Sequence, residues 1–306
     1  MSKSKLKAIK PIEAKPSKPK ILIYGKPGVG KTWASLDFPS VYYIDTEGGA
    51  DLPRYTQKLQ KSGGGYLGLE QGSLSFDVII EQLQALATED HPYQTVIIDS
   101  ISKVFNNAIL DEAQRLGDKN QFGADKKPAI LYMKKLISWI NRLDMNVILI
   151  AHEKSEWGTD PKGNRVEIGS TFDCWDKLEY ELHLALNIVR SAETRKAFVR
   201  KSRLEGFPDR THFDWGYAGF AEKYGKDVLE RNAQKLVLAT PEQLTLLKQL
   251  MEVVKIPDDQ VEKWLLKANA ESFEEMDSSK IEAIISFLQS KLPTLQKKEV
   301  KDAVPA

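Results

Sequence analysis

The chain has 306 residues, enough for one large α/β core and a small appendage, and its 42% hydrophobic and 28% charged residues exclude a disordered or fibrous protein. Its 44 basic and 43 acidic residues leave a net charge of +1, so no bulk charge marks it as a polyanion binder. No apolar stretch reaches membrane-spanning length, and the single cysteine, Cys174, excludes an intrachain disulfide or a cysteine-based zinc site, so a reducing, cytoplasmic location is expected.

Lys3, Lys5, Lys7, Lys10, Lys15, Lys18 and Lys20 crowd a start that also holds Pro11, Pro16 and Pro19. Residues 1–19 therefore read as a disordered basic arm, which either solubilises the chain or helps hold nucleic acid. The apolar run Ile21-Leu22-Ile23-Tyr24 follows as a buried parallel strand and opens a domain spanning residues 20–231. It leads directly into Gly25-Lys26-Pro27-Gly28-Val29-Gly30-Lys31-Thr32, a complete G-x-x-x-x-G-K-[ST] phosphate-binding loop. Glycines let backbone N–H groups turn inward around phosphate oxygens, and the helix starting near Lys31 aims its positive end at the same charge. Lys31 is expected to reach the β- and γ-phosphates of ATP, and the Thr32 hydroxyl to ligate Mg²⁺.

Val41-Tyr42-Tyr43-Ile44-Asp45 is β-branched and aromatic and reads as a second core strand, ending in Thr46-Glu47-Gly48-Gly49 at its carboxyl end. Residues 76–87 have helical spacing, and Thr95-Val96-Ile97-Ile98-Asp99 is a third strand closing on an acid. Asp99 is placed as a Walker-B aspartate that holds the Mg²⁺ shell. A helix over residues 130–143 leads into a strand over 147–151, which ends at His152. Strands over 182–189 and 197–200 flank a turn near Ala192-Glu193 and suggest an antiparallel extension. Alternating strands and helices predict an α/β fold with a mainly parallel sheet covered on both faces. After a linker at 232–239, Thr240-Pro241-Glu242-Gln243 carries a capping-box pattern and starts three amphipathic helices over residues 240–292, with Asp277 capping the third. Residues 293–306 read as a flexible tail.

AAA+ ATPases commonly place a Glu after the Walker-B aspartate, whereas this chain has Ser100, so the attacking water must be polarised elsewhere. Glu47 is the best candidate, because it sits at the carboxyl edge where the ligands of such sheets collect. The segment Val41-Tyr42-Tyr43-Ile44-Asp45-Thr46-Glu47, continued by Gly49-Ala50-Asp51-Leu52-Pro53, resembles the strand-plus-glutamate segment of the RecA recombinases, and Ile98-Asp99-Ser100 resembles their Walker-B ending. The resemblance implies a RecA-like P-loop NTPase core in which Glu47 activates water. It places His152 where RecA carries a γ-phosphate-sensing Gln. Val199-Arg200-Lys201-Ser202-Arg203 with Gly206-Phe207 resembles the Lys-Asn-Arg-Phe-Gly region of RadA proteins, which implies that Lys201 or Arg203 acts on ATP bound by a neighbouring subunit.

Two polar stretches stand where RecA has DNA-binding loops. The first holds Lys119, Phe122, Lys126 and Lys127; the second holds Lys154, Trp157, Lys162 and Arg165. The cations suit phosphates and the rings suit stacked bases. Asp118, Asp125, Glu156, Asp160 and Glu167 dilute that charge and equally suit a solvated lid. The pattern as a whole resembles the phage ATPases of the Sak-four recombination group. It implies a Mg²⁺-dependent ATPase in the cytoplasm of an infected bacterium, binding single-stranded DNA and promoting annealing or strand pairing. Implied partners are further copies of the chain, as a ring or filament, and a single-strand-binding protein. A replicative helicase or helicase loader, and a nucleotide-dependent scaffold without DNA contact, are the competing readings.

Overall fold

The computed structural model describes residues 16–49, 52–121 and 123–302, with side chains as far as Leu292. Nine strands form one sheet among the described residues: β1 (Lys20–Tyr24), β2 (Val41–Asp45), β3 (Gly65–Leu67), β4 (Thr95–Asp99), β5 (Asn146–Thr159), β6 (Arg165–Asp173), β7 (Leu184–Ser191), β8 (Thr194–Ser202) and β9 (His212–Asp214). Their order is β3-β2-β4-β5-β1-β7-β8-β9, with β6 attached to β5. Neighbours from β3 through β7 are parallel, whereas β6, β8 and β9 add antiparallel pairs. In this order β5 stands between β1, which leads into the phosphate loop, and β4, which ends at Asp99.

The central strands are apolar throughout because both of their faces are covered. Leu22, Ile44, Ile98 and Leu149 point to one side, where α3 (Phe76–Thr88), α4 (Ile101–Leu116) and α5 (Lys126–Arg142) pack. Ile21, Ile23, Ile97 and Ile148 point to the other, against α1 (Lys31–Ser35), α2 (Pro53–Lys61), α7 (Tyr217–Tyr224) and α8 (Lys226–Glu230). The period-two alternation is complete, and each such side chain contributes ~1.5–3 kcal/mol on burial. The short α6 (Leu178–Glu181) precedes β7.

A third core lies in α9 (Pro241–Val254), α10 (Asp258–Ala268) and α11 (Ser278–Asp302), around Leu247, Ala268, Ile281 and Leu288. The capping box forms as expected: Gln243 N donates to Thr240 Oγ1 at 3.2 Å, and Thr240 N donates to Gln243 Oε1 at 3.0 Å. Asp277 Oδ1 accepts from Ser279 N at 2.9 Å, at the start of α11.

Several boundaries differ from the sequence reading. Lys18, assigned to the arm, is only 1% exposed; its Nζ donates to Leu229 O at 2.8 Å and Arg231 O at 2.5 Å. Lys20 is likewise buried and donates to Leu143 O and Met145 O, so both ammoniums are absorbed by carbonyls where helices end. Burial pushes the Lys20 pKa down to about 7. The arm's residues 1–15 lie outside the described residues. Within the linker at 232–239, Leu236 N donates to Ala87 O at 2.6 Å and Leu238 is bridged to Asp277. The tail assigned from residue 293 is helical as far as Asp302 in α11. The strand expected over 147–151 runs on to Thr159, and α4 was not anticipated at all.

Candidate active site

The phosphate loop joins β1 to α1 and lines a cavity of about 640 Å³ at the carboxyl edge of the sheet. Gly25 is required by contact, since a β-carbon there would lie 2.3 Å from Ile188 O on β7. Gly30 is required by conformation: it precedes α1 at φ 89°, in the left-handed region. Lys31 Nζ donates to Gly25 O at 2.7 Å and Lys26 O at 3.1 Å, curling over the loop from its own helix. Burial lowers its pKa, against the opposing pull of Asp99 and Glu47. Val29 faces the core, where it packs against the sheet, so Pro27, Gly28 and Gly30 present the loop to the cavity.

Thr32 and Asp99 meet directly, the Thr32 hydroxyl donating to Asp99 Oδ2. Tyr43 OH donates to the same oxygen at 3.2 Å. Both are hard oxygen donors, the ligand type Mg²⁺ prefers. Among the described residues no group of three or more His, Cys, Asp or Glu could hold a metal by itself, so a cation at Thr32 and Asp99 would take its other ligands from phosphate oxygens and water, as Mg²⁺ commonly does.

Burial raises the Asp99 pKa from 3.8 to about 6, despite the hydrogen bond from Thr32. Because the folded value lies above the unfolded one, this carboxyl favours folding fully below pH 3.8, and the contribution is lost as pH rises through about 6. With nucleotide and Mg²⁺ withheld, Asp99→Asn is expected to stabilise the fold by about 1–3 kcal/mol at pH 8 and by about half as much at pH 5. Urea melts at the two pH values measure this; equal gains at both would refute the linkage.

Opposite the phosphate loop, three side chains converge from β2, β4 and β5. Glu47 Oε1 lies 2.5 Å from His152 Nε2 and accepts from Ser100 Oγ at 2.8 Å; Ser100 Oγ is also 3.1 Å from His152 Nε2. The backbone beneath is tied too, since Ser100 N donates to Thr46 Oγ1 at 2.7 Å and Glu47 N to Asp45 Oδ1 at 3.0 Å. Burial alone would raise the Glu47 pKa, but the hydrogen bonds to His152 and Ser100 outweigh it and hold the carboxyl below its ordinary 4.5. A carboxylate ionised at neutral pH and lining the phosphate cavity can accept a proton from water. Ser100 thus orients Glu47, a link that the sequence reading does not contain.

The cavity also contains residues that sequence reasoning missed. Trp33 and Tyr55 meet edge to face at 5.8 Å, with Arg54 over both rings, and form an aromatic wall beside the phosphate loop. Arg190 and Arg195 enter from the β7–β8 hairpin. The only local signal for either group was a set of exposed-type residues close to the motif or flanking a turn.

Lys201 and Arg203 are not brought to this cavity within the chain. They lie six and eight residues beyond Arg195, about 20 Å or more along the strand, where they donate to Leu182 O and Tyr180 O. Burial pushes Lys201 down to about 8.

The second polar stretch is a β-hairpin rather than a loop. Trp157 on β5 opposes Glu167 on β6, is 51% exposed, and carries Arg165 over its ring at 4.7 Å. Lys162 lies exposed in the connecting turn, whereas Lys154 is engaged by Asp173 at 3.7 Å and Asp176 at 3.4 Å. Of the first stretch, Lys119 is exposed in a short turn after α4, and Lys126 and Lys127 open α5; Phe122 lies outside the described residues. Cys174 is buried, and its thiol is pushed up to about 12, which makes it inert.

A protein-family model described as an AAA domain matches residues 17–212, from the first anchored lysine to β9. Among solved structures, the chain is similar to the RadB recombinase (17% identity, TM-score 0.42, covering 65% of this chain and 88% of that one). It is also similar to the flagellar accessory protein FlaH from Methanocaldococcus jannaschii (12%, TM-score 0.34, 65% and 85%). A third likeness is to an ATPase of the type III secretion system of pathogenic bacteria (12%, TM-score 0.39, 90% and 81%). No curated protein matches the sequence.

Proposed function

We propose, from the premise that this chain belongs to the AAA domain family, that it is a Mg²⁺-dependent ATPase whose turnover serves the binding and pairing of single-stranded DNA. The observation that carries the ATPase is the convergence of Lys31, the Thr32–Asp99 pair and an ionised Glu47 on one cavity. In this reading the Glu47 carboxylate takes a proton from water as its oxygen attacks the γ-phosphorus. The bond to the β–γ bridging oxygen breaks and ADP leaves with that electron pair. Lys31 holds the charge that develops on the phosphate oxygens, and Thr32 with Asp99 would hold Mg²⁺, which supplies further neutralisation when bound. Ser100 and His152 position the carboxylate, and contact between His152 and the terminal phosphate would compete with its contact to Glu47.

The DNA part of the reading is supported by the hairpin, where Trp157 is exposed beside Arg165 and Lys162, a ring with cations suited to a stacked base and its phosphate. Trp157→Ala is expected to weaken single-stranded DNA binding by ~1–3 kcal/mol, read by fluorescence anisotropy. The decisive measurement is ATP turnover with and without single-stranded DNA. Stimulation by DNA together with a Trp157 effect supports the reading; strand separation of a forked duplex would move it to a helicase. A second reading, a nucleotide-dependent scaffold, draws on the way Asp173 and Asp176 engage Lys154 and Glu156 engages Arg200 at the base of the hairpin. Turnover indifferent to DNA, with no measurable DNA binding, would select it. Lys201 and Arg203 can serve catalysis only across a subunit contact, so their role in this reading is tied to assembly as a ring or filament.

A further inference from the structure

Arg190 and Arg195 stand directly opposite each other in the antiparallel β7–β8 pair. By strand alternation they share a face with Ile188 and Ala197, the face that α1 covers, so both guanidiniums line the cavity beside the phosphate loop. Like charges opposed across strands are unfavourable unless something of opposite sign lies between them. No carboxylate forms an ion pair with either arginine among the described residues, although Glu47 and Glu153 line the same cavity. Arg190 Nε donates to Ala192 O at 3.2 Å.

Arg195 is more constrained. Its Nε is shielded from solvent and has no hydrogen-bond partner among the described residues, which is costly for a cationic donor. Its guanidinium lies against the phosphate loop: a β-carbon at Gly30 would come within 2.1 Å of Arg195 Nε and 2.9 Å of its Cζ. Gly30 is thus matched to the arginine as well as to the turn. Two planar, permanently charged forks, one with a buried idle donor, meet at a loop built for phosphate.

We propose that Arg190 and Arg195 form a clamp for the nucleotide's polyphosphate, donated by the same chain that carries the phosphate loop. The proposal rests on the nucleotide-binding reading and adds to it a cation pair within the subunit, distinct from Lys201 and Arg203. The anion bridges the opposed charges and satisfies the idle Arg195 donor.

The test is titration of the full chain with fluorescently labelled ATP and ADP, alongside thermal melting without nucleotide. Arg195→Gln, which keeps most of the stem and removes the charge, is expected to weaken both ligands ~10–100-fold, the effect of losing a charged hydrogen bond. Arg195→Lys, which keeps the charge but not the fork, should recover part of the affinity, and Arg190→Gln should weaken binding in the same direction. Mixing Arg195→Gln with Lys31→Ala chains should restore no tight sites, because neither chain then has a complete set. Failure of the unsubstituted chain to bind ATP would defeat the nucleotide reading itself. Tight binding that depends on Lys31 but is unchanged in both arginine variants would overturn the clamp alone. So would Arg195→Lys proving as weak as Arg195→Gln, which would assign the effect to packing on Gly30, or recovery on mixing, which would place the donor in a neighbour. Should Arg195→Gln fail to melt cooperatively, the exposed Arg190→Gln carries the same comparison.

Discussion

Lys31→Ala is expected to lower ATP affinity by ~100-fold while leaving the melting temperature of the nucleotide-free protein nearly unchanged. Both halves follow from where the side chain lies. Among the described residues its Nζ bonds to Gly25 O and Lys26 O of the loop it overhangs, and burial already disfavours its charge, so the fold loses little when it goes. A bound phosphate would lose a charge-assisted hydrogen bond, worth ~1.5–3 kcal/mol, together with a full positive charge beside the loop. Isothermal titration with ATP and ADP measures it. Affinity within a few-fold of the parent, in a variant that melts normally, would remove the cavity as the nucleotide site.

Glu47→Gln separates binding from chemistry. The amide oxygen can still accept from Ser100 Oγ, and the side chain keeps its length, so the cavity and the Thr32–Asp99 pair should persist. What disappears is a carboxylate held ionised below its ordinary pKa by His152 and Ser100. Single-turnover hydrolysis should therefore slow by ~10²-fold or more, with ATP affinity retained. Normal turnover would transfer the base to another group. Ser100→Ala offers the graded control: it removes one of the hydrogen bonds that orient Glu47 and should cost turnover without abolishing it.

The parts of this protein that could be read from its sequence are those where one local pattern meets one environment. β2 and β4 begin and end where the β-branched runs do, because those strands are buried on both faces and nothing competes for their residues. The phosphate loop and the Thr240 capping box are short-range motifs whose partners lie within a few residues, and Asp99 is marked by the apolar run that it closes, although its partner Thr32 lies 67 residues away across β5. Glu47 is singled out in the sequence by its position on the sheet edge, but its tie to Ser100 joins residues 53 apart and exists only through the register of β2 with β4.

Other features were hidden for physical reasons that can be named. Beyond Ala151, β5 continues as a two-stranded ribbon that is wet on much of its surface, so His152-Glu153-Lys154-Ser155-Glu156-Trp157 shows no core alternation. In α4 burial is confined to Ile101, Ser102, Val104 and Phe105, which leaves most of the helix without an apolar stripe. Arg190 and Arg195 become a pair only through the pairing of β7 with β8. Lys18 and Lys20 defeated a reading by charge, because carbonyls more than a hundred residues away absorb their ammoniums.

Those two lysines also settle how the nucleotide-binding core is connected to whatever adjoins it. Lys18 is fastened to Leu229 and Arg231, and Asn146 Nδ2 reaches Leu229 O at 3.0 Å, so the chain enters and leaves the core through one knot at the amino ends of the parallel strands. The phosphate loop opens at the other end. Among the described residues, the chain on either side of the core therefore leaves from the rear, while the cavity and the β5–β6 hairpin lie at the front. A fusion or surface tether at either margin of the core should leave nucleotide access open, whereas a graft into the β7–β8 turn would stand in the doorway.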